Sequence, residues 1–481
     1  MPSVSPSPPA GEAAPSTRVL LWLVAIGFFM QTLDATIINT ALPAMAASLG
    51  ESPLRMQSVV VAYSLTMAML IPASGWLADR FGTRRVFMCA IAIFSLGSLA
   101  CALAHSLSAL VAARIVQGVG GALLLPVGRL AVLRTVPRGE FLQAMSFVAI
   151  PGLIGPLLGP TLGGWLVQAA SWHWIFLINL PVGVLGVAAT LRYMPDARAP
   201  ERVRFDLLGY ALLAVAMVAI SLAVEGSAQL GLGRGGGFVL AVFGLASLTV
   251  YWLHAARAER PLFSPLLFRV RTLSVGLLGN LFCRLGSGAM PFLIPVSLQV
   301  SLGYTPLHAG LMMLPTALAG MGMKRVATPL ILRFGYRNVL VINTLVIGAL
   351  MASFALAGPG MPVWLHVAQL AVFGAFNSLQ FTAMNTITLK DLDGASASSG
   401  NSLLSMVQML AMSLGVAVAG AVLAGFSDAF AASGAGAAQR AFEATFTTVG
   451  LITMISAGVF WHLPPQARAP ELEGPEVSGQ R

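Results

Sequence analysis

Only 9% of the 481 residues carry charge, against about a quarter in a soluble domain. The chain has 17 acidic residues and two lysines, Lys324 and Lys390. A net charge of +10 would ordinarily suggest nucleic acid. Here the arginines are dispersed in short segments between long apolar runs, which is the charge pattern of a polytopic membrane protein. The three cysteines, Cys89, Cys101 and Cys283, lie inside apolar runs without metal-ligand spacing, so they read as packing thiols. There is no Gly-x-x-x-x-Gly-Lys-Ser/Thr loop, which argues against ATP-driven work. No metal cluster or nucleophile constellation is visible either. The expectation is therefore a non-enzyme without metal or cofactor. Residues 1–17 lack the basic start of a cleavable leader and read as a disordered cytoplasmic tail.

Apolar runs are what the chain has in abundance. A membrane-spanning helix needs about 20 mainly apolar residues. Fourteen such spans are expected, at 19–41, 55–77, 86–105, 108–132, 142–166, 172–194, 206–224, 237–255, 273–300, 307–329, 338–357, 362–386, 401–426 and 441–462. An even number places both termini on one side. The loops on that side hold Arg80, Arg84, Arg85, Arg134, Arg257, Arg260, Arg269, Arg271, Arg333 and Arg337 among others. The opposite side holds Arg55, Arg234 and Arg440. That bias predicts cytoplasmic termini.

The chain also repeats. Leu77-Ala-Asp-Arg-Phe-Gly-Thr-Arg-Arg-Val86 aligns with Leu330-Ile-Leu-Arg-Phe-Gly-Tyr-Arg-Asn-Val339 at an offset of about 253, and Ser48-Leu-Gly50 aligns with Ser301-Leu-Gly303 at the same offset. Two parallel halves of six spans describe a class of secondary transporter with its substrate site between them. The expected division is an N-terminal bundle over 18–194, a linker with two extra spans over 195–272, a C-terminal bundle over 273–462 and a disordered tail over 463–481.

One acid lies well inside a span. Asp34 sits in Gly27-Phe-Phe-Met-Gln-Thr-Leu-Asp34, where a mid-bilayer charge costs roughly 2.5–3.5 kcal/mol on insertion scales. By helical rise it lies about 10 Å below the outer end of the first span, and Arg114 lies about 9 Å below the outer end of the fourth. The two are read as a coupled pair for protons, directly or through water. A static buried ion pair is the plainer alternative. Arg284 falls near the middle of the ninth span, where its repeat partner is Gln31; the repeat partner of Asp34 is Ser287. Gln31, Asn39, Gln117, Arg284, Asn377 and Gln380 are candidates for a polar substrate cavity, with interhelical hydrogen bonding as the competing use.

Two glycine-bearing patterns complete the set. Gly75-Trp-Leu-Ala-Asp79-Arg80-Phe-Gly82-Thr-Arg84-Arg85 joins the second and third spans. Asp79 can latch to an arginine or a helix start on the cytoplasmic face, or these are ordinary topology charges. In the fifth span, Gly152-Leu-Ile-Gly155-Pro156-Leu-Leu-Gly159-Pro160-Thr-Leu-Gly163-Gly164 places Gly155, Gly159 and Gly163 on one helix face, a spacing that permits close helix contact. The tenth span, with Gly310, Pro315, Gly320 and Gly322, is the expected partner.

These motifs resemble the major facilitator superfamily, whose most widespread motif is the loop around Asp79. Leu33-Asp34-Ala-Thr36-Ile-Ile-Asn39-Thr-Ala41-Leu42-Pro43 is similar to the first-span motif of its fourteen-span drug:proton antiporter family. Arg114-Ile-Val-Gln117-Gly118-Val-Gly120-Gly121 resembles the superfamily's basic motif, the fifth-span stretch resembles the motif tied to antiport, and Trp172-His-Trp174-Ile-Phe176-Leu-Ile-Asn179-Leu-Pro181-Val-Gly183 also fits. The resemblance spans about residues 18–462. It implies an all-α polytopic fold of two six-helix bundles plus an inserted helix pair. It also implies alternating access, with the fifth-span contact sealing the outer side between the halves. The implied activity is proton-coupled export of small organic molecules, of the multidrug efflux type, from the bacterial inner membrane. The implied partners are substrate, protons and lipid, and the protein is expected to act as a monomer. Three in-membrane arginines against one acid keep a different cargo open, an anionic metabolite such as a carboxylate or its metal chelate, citrate for example. A receptor without flux is a third reading, weakened by the lack of any signalling domain.

Overall fold

A computed structural model describes residues 15–137, 140–196, 205–225, 234–358, 360–392, 394–431 and 436–463. Of the tails expected at 1–17 and 463–481, residues 1–14 and 464–481 lie outside the described residues, while residues 15–17 already belong to the first helix and Leu463 is buried. The described chain is helical almost throughout. The first bundle comprises α1 (Pro15–Leu49), α2 (Gln57–Phe81), α3 (Thr83–Ala102), α4 (Leu107–Thr135), α5 (Phe141–Ala169), α6 (Trp174–Leu177) and α7 (Asn179–Tyr193). A hairpin follows, α8 (Leu207–Glu225) and α9 (Arg234–Ala255). The second bundle comprises α10 (Arg271–Ser287), α11 (Met290–Val300), α12 (Pro306–Met312), α13 (Leu314–Phe334), α14 (Tyr336–Ser353), α15 (Val363–Leu389), α16 (Gly394–Phe430), α17 (Ala437–Ile455) and α18 (Ala457–Phe460). The pairs α6/α7, α10/α11, α12/α13 and α17/α18 are broken spans, which leaves fourteen helical segments at the fourteen expected places.

Twelve of these are long and apolar enough to cross a membrane by length and composition among the described residues. The two outside that set are the tenth, divided at Met313 and carrying Lys324 and Arg325, and the twelfth, which carries His366, Gln369, Asn377, Gln380 and Asn385. Their polar content lowers the hydropathy that identifies the others. Several helices also overrun the expected ends. The first was expected to end at 41 and continues through Pro43 to Leu49.

The repeat has a backbone signature. Gly82 (φ 93°) and Gly335 (φ 76°) begin corresponding helices, and Gly50 (φ 67°) and Gly303 (φ 70°) close corresponding ones. Each pair is separated by the expected offset. All four adopt left-handed conformations that a side chain would strain, so the same turns recur in both bundles.

The apolar core is joined at one end and divided at the other. On the side opposite the termini, here the far side, Ile38, Leu42 and Met45 share one cluster with Phe292, Leu293, Val416 and Leu423 of the second bundle. On the terminal side, Leu20, Phe87 and Val127 belong to one core, and Val275, Ile331 and Ile387 belong to another. A Cβ added at Gly75 or Gly322, both toward the terminal side, would meet nothing within 4 Å. The bundles are therefore closed on the far side and parted on the terminal side.

The α8/α9 hairpin packs beside the seam between the bundles. Leu213 and Met217 of α8 and Tyr251 of α9 cluster with Ala68 of α2, Leu273 of α10 and Leu403 of α16. Asp206 anchors it. Its carboxylate accepts from the Gly209 amide at 2.8 Å, from His254 Nε2 at 2.8 Å and from the Leu262 amide at 3.1 Å. Burial pushes the carboxyl up, but these donors together hold it below the usual carboxylate range. One side chain thus caps α8 and ties it to the end of α9 and to the following linker.

The far-side closure rests on glycines. A Cβ at Gly164 would come within 2.2 Å of the Pro306 carbonyl, and one at Gly310 within 2.2 Å of the Pro160 carbonyl. Overpacking of this kind costs typically 1–3 kcal/mol. Gly310→Val is expected to lower the thermal midpoint in detergent by several degrees and to raise far-side labelling of a cysteine placed at Thr161. Unchanged stability and labelling would mean that this contact does not hold the bundles together.

Candidate functional site

The fifth-span stripe meets a different neighbour from the one expected. A Cβ at Gly155, Gly159 or Gly163 would strike Thr32, Thr36 and the Ile37–Thr40 turn of α1, and one at Gly152 would strike Phe28. The partner of the stripe is therefore α1 within the same bundle. Threonines at 32, 36 and 40 recur every four residues, matching the glycines. Thr36 Oγ1 donates to the Gly155 carbonyl at 3.4 Å, and Thr40 Oγ1 donates to the Pro160 carbonyl at 3.2 Å. Only the far end of α5 touches the other bundle, through Gly164 and through Thr161 Oγ1, which donates to the Gly310 carbonyl at 3.2 Å. Helical periodicity shows that a face is small; it does not show which helix fills it.

With its threonine face on α5, α1 turns Asp34 toward α3, α4 and α7. Asp34 and Arg114 are in direct contact, Arg114 Nη1 donating to Asp34 Oδ2 at 2.7 Å, and each is 1% exposed. Gln117 Nε2 donates to Asp34 Oδ1 at 2.8 Å and to Ser98 Oγ at 2.7 Å. Asn179 Nδ2 reaches Asp34 Oδ1 at 3.4 Å and Ser98 Oγ at 3.2 Å. The same Arg114 Nη1 donates to Gln117 Oε1 at 2.6 Å, which fixes the orientation of that amide. Arg114 Nε donates to the Val59 carbonyl at 3.3 Å, and the guanidinium lies 4.0 Å from the centroid of the Tyr63 ring.

Glycines bring these groups within reach. A Cβ at Gly97 would lie 2.5 Å from the Gln117 backbone, and one at Gly120 would lie 2.4 Å from the Phe94 amide. The close approach of α3 to α4 puts Ser98 beside Gln117. Asp34 and Arg114 were expected at this place; Gln117 was expected to line a substrate cavity, and instead it is fully buried and bridges Asp34 to Ser98. Ser98, Asn179, Tyr63 and the Val59 carbonyl were not given roles. Asn179 lies in a quoted motif, but nothing local marks Ser98 or Tyr63.

The other candidates separate. Arg284 lies one turn before the break between α10 and α11. Its Nε donates to Asn280 Oδ1 at 3.2 Å, and its guanidinium lies 4.8 Å from the Phe381 centroid. Its Nη2 is buried without a hydrogen-bond partner among the described residues. Gln408 Nε2 donates to Asn280 Oδ1 at 3.4 Å and also to Asn385 Oδ1, so α10, α15 and α16 meet in one polar cluster. Asn377 is half-buried. Gln380 is not a cavity residue in this conformation. It is 1% exposed and engaged inside the bundle, donating to Thr344 Oγ1 at 2.7 Å and accepting from Asn343 Nδ2 at 2.7 Å. Gln31 and Asn39 are buried on α1, each with an amide oxygen that has no hydrogen-bond partner among the described residues. Ser287 donates to the carbonyl of Cys283 in its own helix, so the counterpart of Asp34 is locally satisfied.

At the terminal side, Asp79 pairs with Arg134, joining α2 to α4 within the first bundle. Among the described residues this pair does not cross to the second bundle. Gly82 starts α3 with its left-handed turn. Arg80 lies over Trp76 and Phe81, at 5.5 and 5.7 Å from their centroids. Arg84 is half-buried and Arg85 is exposed at the start of α3.

The Asp34–Arg114 contact has a measurable consequence. Removing one member of a buried ion pair costs about 3–5 kcal/mol, whereas replacing both by apolar groups is often neutral. Asp34→Leu and Arg114→Leu are each expected to lower the thermal midpoint in detergent strongly, and the double variant by clearly less than their sum. Additive losses would show that the two residues do not act as a pair.

Three comparisons place this geometry among known proteins. Residues 24–416 match the profile described as Major Facilitator Superfamily. A protein of Serratia proteamaculans named "Putative multidrug resistance protein MdtD" is 52% identical over 449 residues, covering 93% of this chain and 94% of that one. The protein of the same name in Escherichia coli strain 55989 is 51% identical over 454 residues, covering 93% and 95%. Among solved structures, a D-xylose-proton symporter aligns with TM-score 0.66 at 15% identity over 93% of this chain and 98% of that chain. A POT family transporter crystallised with 5-aminolevulinic acid aligns with TM-score 0.68 at 17% identity over 92% and 95%. These two share the fold; the match to the superfamily profile and the relatives near half identity establish the lineage. This polytopic all-α membrane protein is a transporter of the major facilitator superfamily.

Proposed function

We propose that the protein is a proton-coupled exporter of small organic molecules from the bacterial inner membrane. The observation that carries this reading is Asp34, a carboxylate inside the membrane that receives hydrogen bonds from Arg114, Gln117 and Asn179 and is almost wholly removed from solvent. Buried ion pairs contribute little net stability, so a pair of this kind at membrane depth points to use. The name of the close relatives, a multidrug resistance protein, supports drugs as one cargo class, and export is the direction of transport that would confer resistance. The arginine bias of the loops supports cytoplasmic termini, which makes the present conformation open to the cytoplasm.

The cycle follows from these parts. In the inward-open state Asp34 is ionised and paired. Substrate enters the parted terminal side, the bundles close over it, and the far-side contact at Gly164 and Gly310 separates. Opening outward gives Asp34 access to periplasmic protons. Protonation removes its charge and weakens its hold on Arg114, and return to the inward state delivers the proton. Inward proton movement draws on roughly 2.3 kcal/mol per charge per 100 mV of membrane potential. The protein works as a monomer, without ATP.

Arg284 favours a second cargo class. It is a cation at membrane depth with a buried, unpartnered Nη2 and no ion pair among the described residues. It lies beside a broken helix, the kind of place where transporters of this type bind substrate. An anionic metabolite such as a carboxylate or its metal chelate, citrate among them, would supply the missing partner. Asp34 cannot balance Arg284, since Arg114 already occupies it.

Two experiments test these readings. In proteoliposomes loaded with a pH dye, Asp34→Asn is expected to abolish substrate-driven proton movement; full coupled transport in that variant would remove Asp34 from the mechanism. Arg284→Gln is expected to lower citrate export at least tenfold while sparing export of a cationic dye such as ethidium. If dye export alone responds, the anion reading is wrong.

A further inference from the structure

Arg114 has more partners than an ion pair needs, and two of them come from one helix. The Val59 carbonyl accepts from Nε, and the Tyr63 ring, one turn later on α2, lies under the guanidinium. Tyr63 is 2% exposed, and its hydroxyl has no hydrogen-bond partner among the described residues. A buried, unsatisfied phenol is costly, so hydrogen bonding by the hydroxyl does not account for a tyrosine here. The ring has a reserved place on α4. A Cβ at Gly121 would lie 2.7 Å from the Tyr63 hydroxyl, and one at Gly118 would lie 3.1 Å from the Tyr63 carbonyl. The aromatic face is the part of Tyr63 that this arrangement uses.

The value of that face depends on Asp34. Arginine stays charged throughout. When Asp34 binds a proton, the carboxyl becomes neutral and Arg114 becomes a cation without a counter-charge among the described residues. Its remaining partners are Gln117 Oε1, the Val59 carbonyl and the Tyr63 face, all of them neutral. A ring face attracts a cation through its quadrupole, more strongly in a desolvated site. Among the described residues the other ionisable group facing the pair is Cys101 of α3, whose Sγ lies 3.7 Å from Gln117 Oε1. The helices α5 and α11, which also pack on α1, carry no ionisable side chain. His308 of α12 is held by Thr305 at 2.8 Å and is exposed.

We infer that Tyr63 is a positioning residue for proton coupling, its ring face holding Arg114 when Asp34 is protonated and thereby helping Asp34 to bind its proton. This rests on the proton-coupling reading given above. The same helix, α2, also reaches the bundle interface. The α2 helix carries Gln57, whose side chain fills the space beside Gly420 of α16 in the second bundle.

The test uses the full-length purified protein and needs no substrate. The infrared band of a protonated carboxyl is followed against pH, and Asp34→Asn identifies the part due to Asp34. Tyr63→Phe is expected to leave the midpoint of that band within a few tenths of a pH unit of the parent. Tyr63→Met, of similar bulk without a ring face, is expected to move it about one unit toward acid, a tenfold loss of proton affinity. Progressively fluorinated phenylalanines at 63 keep the shape of the ring while weakening its face, and they are expected to shift the midpoint stepwise in the same direction. That series decides the matter even if Tyr63→Met does not fold. A flat series, with an Asp34-dependent band present, overturns the role of Tyr63 and leaves proton coupling intact. If the band is independent of Asp34, the proton-coupling reading itself fails.

Discussion

The contact between Asp34 and Arg114 constrains the whole first bundle. Two opposite charges at membrane depth are tolerated only if almost every polar atom around them is matched. Meeting that condition requires four helices besides α1 to converge on one carboxylate and its partner. Arg114 and Gln117 come from α4, Ser98 from α3, Asn179 from the start of α7, and the Val59 carbonyl and Tyr63 ring from α2. The close contacts at Gly97, Gly118, Gly120 and Gly121 follow from the same requirement, because short polar side chains reach across only where backbones nearly touch. The glycines of the basic motif are thus part of the charge site.

On the proton-coupling proposal, the other face of α1 connects this site to the second bundle. Thr32, Thr36 and Thr40 lock into the glycine stripe of α5, and the far end of α5 in turn abuts α12 of the second bundle. A displacement of α1 that follows the charge state of Asp34 would therefore pass through α5 to the Gly164–Gly310 closure. A packed contact of this kind has discrete arrangements and does not deform continuously. The hairpin α8/α9 lies on another side of the molecule, beside α2 and α16, where Asp206 secures its terminal-side end.

Much of this was legible in the sequence, and the gaps have physical causes. The depths of Asp34 and Arg114 follow from helical rise alone, so their meeting could be anticipated. The repeat was legible because turn glycines are constrained by φ, and Gly82/Gly335 and Gly50/Gly303 keep the same backbone shape. The partner of the α5 stripe was misassigned because small residues announce closeness without direction. The threonine spacing on α1 carried the missing direction. Gln380 was misplaced for a similar reason: a polar residue on a membrane helix is either exposed to a cavity or satisfied by its neighbours, and only the positions of Asn343 and Thr344 decide between them. Tyr63 left no signal, since an aromatic in an apolar run is ordinary until a guanidinium lies over it.

The two bundles differ in how they treat a buried cation, and that difference bears on mechanism. Arg114 has a counter-charge in Asp34, two neutral acceptors in Gln117 Oε1 and the Val59 carbonyl, and the Tyr63 face. Arg284 has Asn280, the Phe381 face and an unused Nη2. The first arrangement can lose its negative charge to a proton and still hold the arginine. The second, with no protein carboxylate in contact among the described residues, can gain a negative charge only from outside the protein. If proton and cargo exchange across the cycle, one bundle needs a site whose charge is switchable and the other a site whose charge is unmet. The unmet charge of Arg284 lies one turn before the break between α10 and α11, and broken helices are where transporters with repeated halves bind their substrates. The division of labour between the halves is then electrostatic in origin, although their backbones repeat.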